Sequence, residues 1–182
     1  MTRHSDALSG RPLFAHLCRL FATATLAFGA IICVADSRSL IGAQAQDFAL
    51  RSVGGPNVRL SEHRGEVVVV AFWSSRCNPC RDTLKELSNL QTQWSTAGLT
   101  VLGVNVDDDT NAARQFAQAQ PVAFPMLMDP TKKVARAWQI EALPYVVALD
   151  RDGRVRLVRT DAKGRAAPGQ DFASRLRRLL DE

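Results

Sequence analysis

Two cysteines three positions apart, in Cys77-Asn78-Pro79-Cys80, are the residues of this chain best suited to covalent chemistry. Thiols at this spacing can close on each other as a disulfide and reopen by exchange with another one. The thiolate is the reactive form, and its surroundings decide how much of it exists. Upstream, VVVVAFW at Val67 to Trp73 is β-branched and aromatic, the pattern of a fully buried strand. Downstream, RDTLKELSNLQTQW sets Leu84, Leu87, Leu90 and Trp94 at helical spacing. The pair therefore lies at a strand-to-helix turn, with Cys77 at the helix start. Unpaired N–H groups and a partial positive charge at that end favour an anion.

Two plainer roles compete with redox chemistry. A structural staple this short removes little unfolded-state entropy, about 2 kcal/mol against about 3 for a fifteen-residue loop. A structural zinc site usually takes four ligands. Without its first 45 residues the chain offers Cys77, Cys80 and a single histidine, His63, on another segment. A CxxC at a strand–helix turn in a β-α-β setting favours the redox reading. Trp73 and Phe72 read as core residues, although Trp73 is also a candidate to shape the surface near Cys77.

The elements that must position the pair follow from the remaining pattern. Residues 47–50 and 57–60 are short strands joined at Gly54-Gly55-Pro56. Gly98 is a plausible cap for the dithiol helix. Residues 99–106, LTVLGVNV, form a second buried strand, so strand, helix and strand imply a parallel pair with a right-handed crossover. Asp109 caps a helix over 110–119. A short strand over 124–129 and a helix over 132–138 follow. Residues 145–149 and 154–159 pair around a loop whose Gly153 suits a positive φ. The last helix carries Phe172, Leu176, Leu179 and Leu180.

The N-terminus is different in kind. Arg3, Arg11 and Arg19 precede an uncharged apolar segment over residues 20–35, and Ala43-Gln44-Ala45 follows as an A-x-A pattern. This reads as a secretory signal peptide over 1–45, cut after Ala45, ahead of one domain over 46–182. The alternative is an uncleaved membrane anchor, although the run is shorter than the ~20 residues a spanning helix needs. Net charge is +5, and +3 without residues 1–45, which carry four Arg and two Asp. That balance shows no basic stripe for nucleic acid. An exported chain with one close cysteine pair sits where disulfides persist.

The pieces DFAL, LSEHRGE, AFWSSRCNPC, VNVDDD, FPMLMD and LPYVVALDRDG occur in that order across residues 47–153. With them the chain resembles the TlpA/ResA-type thioredoxin-like proteins, exported thiol–disulfide oxidoreductases of bacteria. The resemblance implies a thioredoxin fold, α/β with a mixed central sheet flanked by helices. It adds an N-terminal β-hairpin and a central insertion over about 109–129. By position, Cys77 is the attacking thiol and Cys80 the resolving one. Pro144 matches the family's cis-proline, which leaves the backbone of Leu143 to pair with a substrate peptide. Asp108 falls where some members carry an acid near the buried cysteine. Ala71 replaces the buried acid of ordinary thioredoxins. Arg76 stands where the family usually has an aromatic residue, so it is a candidate to tune Cys77.

The function implied is reduction of disulfides in exported, periplasmic proteins, apocytochrome c haem sites included. A membrane thiol transporter would donate the electrons. No metal or organic cofactor is implied, the chain holds no GxGxxG nucleotide fingerprint, and a monomer is expected. Three other functions fit parts of the pattern. An oxidising or isomerising catalyst shares the fold and differs in potential. A thiol peroxidase would want P-x-x-x-T-x-x-C, but Val70 replaces the proline. A copper-delivery protein would add His or Met ligands, and only Met126 and Met128 are on hand after residue 45.

Overall fold

A computed structural model describes residues 40–160 and 172–182. The segment read as a signal peptide, apart from residues 40–45, and residues 161–171 lie outside them. Seven strands form one sheet: β1 (Ala49–Ser52), β2 (Asn57–Arg59), β3 (Val67–Trp73), β4 (Leu99–Asn105), β5 (Met126–Met128), β6 (Tyr145–Leu149) and β7 (Val155–Thr160). Their order is β2-β1-β5-β4-β3-β6-β7. Four helices accompany them: α1 (Asn78–Trp94), α2 (Thr110–Ala119), α3 (Lys133–Ala137) and α4 (Phe172–Leu180). The sheet is mixed, with β3, β4 and β5 parallel and β6 and β7 antiparallel. This is the flanked mixed sheet that the resemblance implies. The β1–β2 hairpin extends it, and α2 with β5 forms the insertion.

Every residue of β3 is buried, because both faces of the strand are covered. Val67, Val69, Ala71 and Trp73 pack with Leu84 and Leu87 of α1, Phe116 of α2 and Leu176 of α4. Val68, Val70 and Phe72 face the other way, toward Phe48, Val134 and Trp138. Each buried Val or Leu side chain contributes about 1.5–3 kcal/mol by leaving water. Gly103 in β4 is needed for closeness. A Cβ there would meet Met126 Sδ at 3.0 Å and Phe124 at 3.1 Å.

Some boundaries moved. α1 ends at Trp94, a 3-10 turn over Ser95–Ala97 follows, and Gly98 caps that turn at φ 90°. The first strand begins at Ala49 rather than 47, since Asp47 holds the Ser61 N–H with its carboxylate at 2.9 Å. Lys132 falls outside α3, in the left-handed region at φ 53°. His63 lies 3.1 Å from the Glu66 carboxylate. The residues around the A-x-A pattern are bonded into the domain. Gly42 N–H reaches Val155 O at 2.7 Å, and Ala45 N–H reaches Gly153 O at 3.0 Å.

Register is what assembles one edge. β3 and β4 pair in parallel from Val67↔Leu99 to Trp73↔Asn105, so both end at the same level. β6 runs antiparallel to β3 with Phe72 opposite Tyr145, which brings the start of β6 to that level. Three segments therefore share one edge: residues 74–77, 106–109 and 143–144. Ligands of open α/β sheets bind beyond such carboxyl ends of strands.

Candidate active site

Cys77 is the N-cap of α1 and Pro79 lies in its first turn, where a missing N–H costs nothing. The chain reaches the helix through a tight turn, with Cys77 N–H donating to Ser74 O at 3.2 Å. Cys77 and Cys80 are joined as a disulfide, their Cα atoms 5.3 Å apart. They are not equivalent. Cys80 is 0% exposed and packs with Leu84 and Trp73, whereas Cys77 is half-buried and reaches the surface beside exposed Asn78 and Pro79. An incoming sulfur can meet Cys77 first.

Beside the pair lies a cleft of about 340 Å³ with Ser75, Arg76, Asp107, Asp108, Lys132 and Leu143 in its wall. The Leu143–Pro144 peptide bond is cis. Next to it, burial and then the charge of Glu141 push the Tyr145 hydroxyl above its usual pKa, so it is a neutral phenol at pH 7. Arg76 is exposed on the lip of the cleft and has no ion-pair partner among the described residues. Trp73 is buried against Phe116, ring centroids 4.8 Å apart, which makes it core.

Asp108 lines the cleft, but its side chain is 83% exposed and its carboxylate sits 2.8 Å from Lys132 Nζ. Sequence reasoning singled out Asp108 from the acidic run, and the member bonded to the cysteine turn is its neighbour. Asp107, not Asp108, accepts the Ser75 N–H, at 2.8 Å. Ser75, Asn105 and Lys132 were also missed. The usable signal was spacing: Asp107 is two residues past Asn105, the last residue of the buried strand.

Similarity to known proteins agrees with this geometry. Residues 41–158 match the model of the AhpC/TSA family. The chain belongs to that family. It is 30% identical over 120 residues to the thiol-disulfide oxidoreductase ResA of Geobacillus kaustophilus, across 66% of this chain and 69% of that protein. The Bacillus subtilis ResA is 28% identical over 114 residues, 63% of this chain and 64% of its own length. Among solved structures, a Chlorobium tepidum chain described as a thiol:disulfide interchange protein DsbE superposes with a TM-score of 0.70. It is 30% identical and covers 77% of this chain and 97% of its own. With its Cys77–Cys80 pair at the strand–helix turn, this AhpC/TSA-family chain is a thioredoxin-like thiol–disulfide oxidoreductase. The position a peroxidase-type proline would hold is Val70, buried in mid-strand in β3.

Proposed function

We propose that the protein is an exported, periplasmic reductant of protein disulfides, with Cys77 as attacking thiol and Cys80 as resolving thiol. The observation that carries the assignment is the contrast between a half-buried Cys77 at a helix N-terminus and a fully buried Cys80. Cys77 thiolate attacks one sulfur of a substrate disulfide and expels the other as a thiolate. Cys80 thiolate then attacks Cys77 Sγ, expelling the second substrate sulfur and leaving Cys77–Cys80 oxidised. Two electrons pass to the substrate. In this reading the backbone of Leu143, in the cleft wall beside cis-Pro144, aligns the substrate chain. The basic and apolar N-terminus supports export or anchoring, and a membrane thiol-transfer protein is the proposed electron donor.

The reduction potential tests the direction of flow. A reductant falls near the ~−270 mV of thioredoxin, whereas a value near the ~−120 mV of DsbA would make it an oxidant. Arg76 moves that value in a known sense. Its fixed positive charge favours the neighbouring thiolate, lowers the Cys77 pKa, and so stabilises the reduced form. Solvent weakens the effect, because the guanidinium is exposed. Arg76→Trp should therefore raise the Cys77 pKa and make the potential more negative. An iodoacetamide pH–rate profile identical to that of the wild type would remove Arg76 from the tuning of this thiol.

Asp108 is the remaining candidate, as proton acceptor when Cys80 resolves the mixed disulfide. Lys132 competes with that role by occupying the carboxylate in an exposed ion pair. A positioned acid–base group contributes about 10²–10⁴-fold. For Asp108→Asn we expect a loss below about tenfold in turnover at neutral pH. A loss of a hundredfold would restore Asp108 as the acceptor.

A further inference from the structure

The three carboxylates after β4 have three separate tasks. Asp108 faces solvent and pairs with Lys132. Asp109 caps α2, accepting from the N–H groups of Asn111 and Ala112. Asp107 is half-buried and bonds toward the cysteine turn. Its Oδ2 accepts the Ser75 N–H at 2.8 Å and the Asn105 side-chain amide at 2.8 Å. Its own N–H donates to Asn105 Oδ1 at 3.0 Å. Asn105 is itself anchored by burial and by its backbone pairing. It is fully buried at the end of β4, and its carbonyl accepts the Asp129 N–H at 2.9 Å.

Asp107 is thus held by a buried side chain and in turn holds Ser75, two residues before Cys77. The turn is fixed from outside at the Ser75 N–H and closed from inside by Cys77 N–H to Ser74 O. No other acceptor is bonded to the Ser75 N–H among the described residues, and half-buried N–H groups are costly to leave unpaired. Exchange at sulfur needs the attacking thiolate in line with the bond it breaks. A displacement of about 1 Å at such a centre costs on the order of a hundredfold in rate.

We infer that Asp107 is a positioning residue for thiol–disulfide exchange: by holding the Ser75 N–H it fixes the turn that presents Cys77 to the substrate disulfide. This rests on Cys77 being the attacking thiol.

The test compares full-length Asp107→Ala, Asp107→Asn and Asp47→Ala with the wild type. Each reduced protein is scored for its second-order rate of insulin disulfide reduction and for its stability in denaturant. Asp47 is the control, because it too holds a backbone N–H, that of Ser61 at 2.9 Å, but beside β1. Asp107→Ala should lose at least tenfold in rate. Asp107→Asn should stay within threefold, since its amide oxygen can accept the same two N–H groups. Asp47→Ala should stay within twofold of the wild type despite its lost contact. The inference is overturned if Asp107→Ala is within twofold of the wild type. It also fails if Asp107→Asn is as slow as the alanine variant, or if Asp47→Ala is as slow as both. Cys77→Ser in the same assay tests the underlying reading separately: activity there would overturn both, whereas its inactivity leaves the Asp107 comparison to decide.

Discussion

Cys77→Ser is expected to eliminate disulfide reduction, and Cys80→Ser to accumulate a covalent adduct between Cys77 and the substrate. Both outcomes follow from the different placement of the two sulfurs. Cys77 is the N-cap of a 17-residue helix and reaches solvent, so it is both activated and accessible. A serine hydroxyl there is not ionised at working pH and forms no disulfide. Cys80 is 0% exposed in the same core cluster as Leu84 and Trp73, out of reach of a protein disulfide, and can act only on a sulfur already bonded to Cys77. Removing it leaves the first step intact and deletes the second. Non-reducing mass spectrometry of each variant after mixing with oxidised substrate reads the result. An adduct on Cys77→Ser and none on Cys80→Ser would reverse the assignment.

The largest effect on stability is expected at Asp129. Its side chain is 1% exposed, yet it carries a carboxylate. One oxygen accepts the Lys133 N–H and the other the Ala135 N–H, each at 2.9 Å. These are orphan donors of the first turn of α3. Asp129→Ala leaves both without this acceptor; the Ala135 N–H is buried and the Lys133 N–H partly so, and an unpaired buried donor costs about 1–3 kcal/mol. Relief from burying the carboxylate offsets part of this. The expected loss is about 3 kcal/mol, a fall in Tm of roughly 10 °C for a chain of this size. Asp129→Asn keeps one acceptor oxygen and should fall between the two. The change also reaches the cleft, since Lys132, which pairs with Asp108, leads into α3. Thermal denaturation of the oxidised proteins checks it, and an alanine variant within 0.5 kcal/mol of the wild type would refute the capping role.

What was legible in the residues alone was local. Val67–Trp73 reads as a covered strand, because seven consecutive apolar residues have no polar face to offer water and the β-branched and aromatic types favour a strand. The spacing of Leu84, Leu87 and Leu90 specifies the face of α1, and all three are buried. With those two elements placed, the dithiol had to stand at a strand-to-helix turn. Asp109 as a helix cap was readable for the same reason, since a cap acts within one turn of its own chain.

Tertiary structure decided the rest, where partners are far apart in sequence. Three adjacent aspartates look alike in a string. Pairing of Trp73 with Asn105 is what brings Asp107 to Ser75, 32 residues away, and leaves Asp108 to Lys132. The strap that bonds Gly42 and Ala45 to Val155 and Gly153 is built from backbone groups, which every residue has and no side-chain pattern announces. Residue types and spacing determined that a redox dithiol sits at the head of a helix. The parallel register of β3 with β4, and the antiparallel return of β6, determined which residues surround it, because the level at which strands end depends on how they pair.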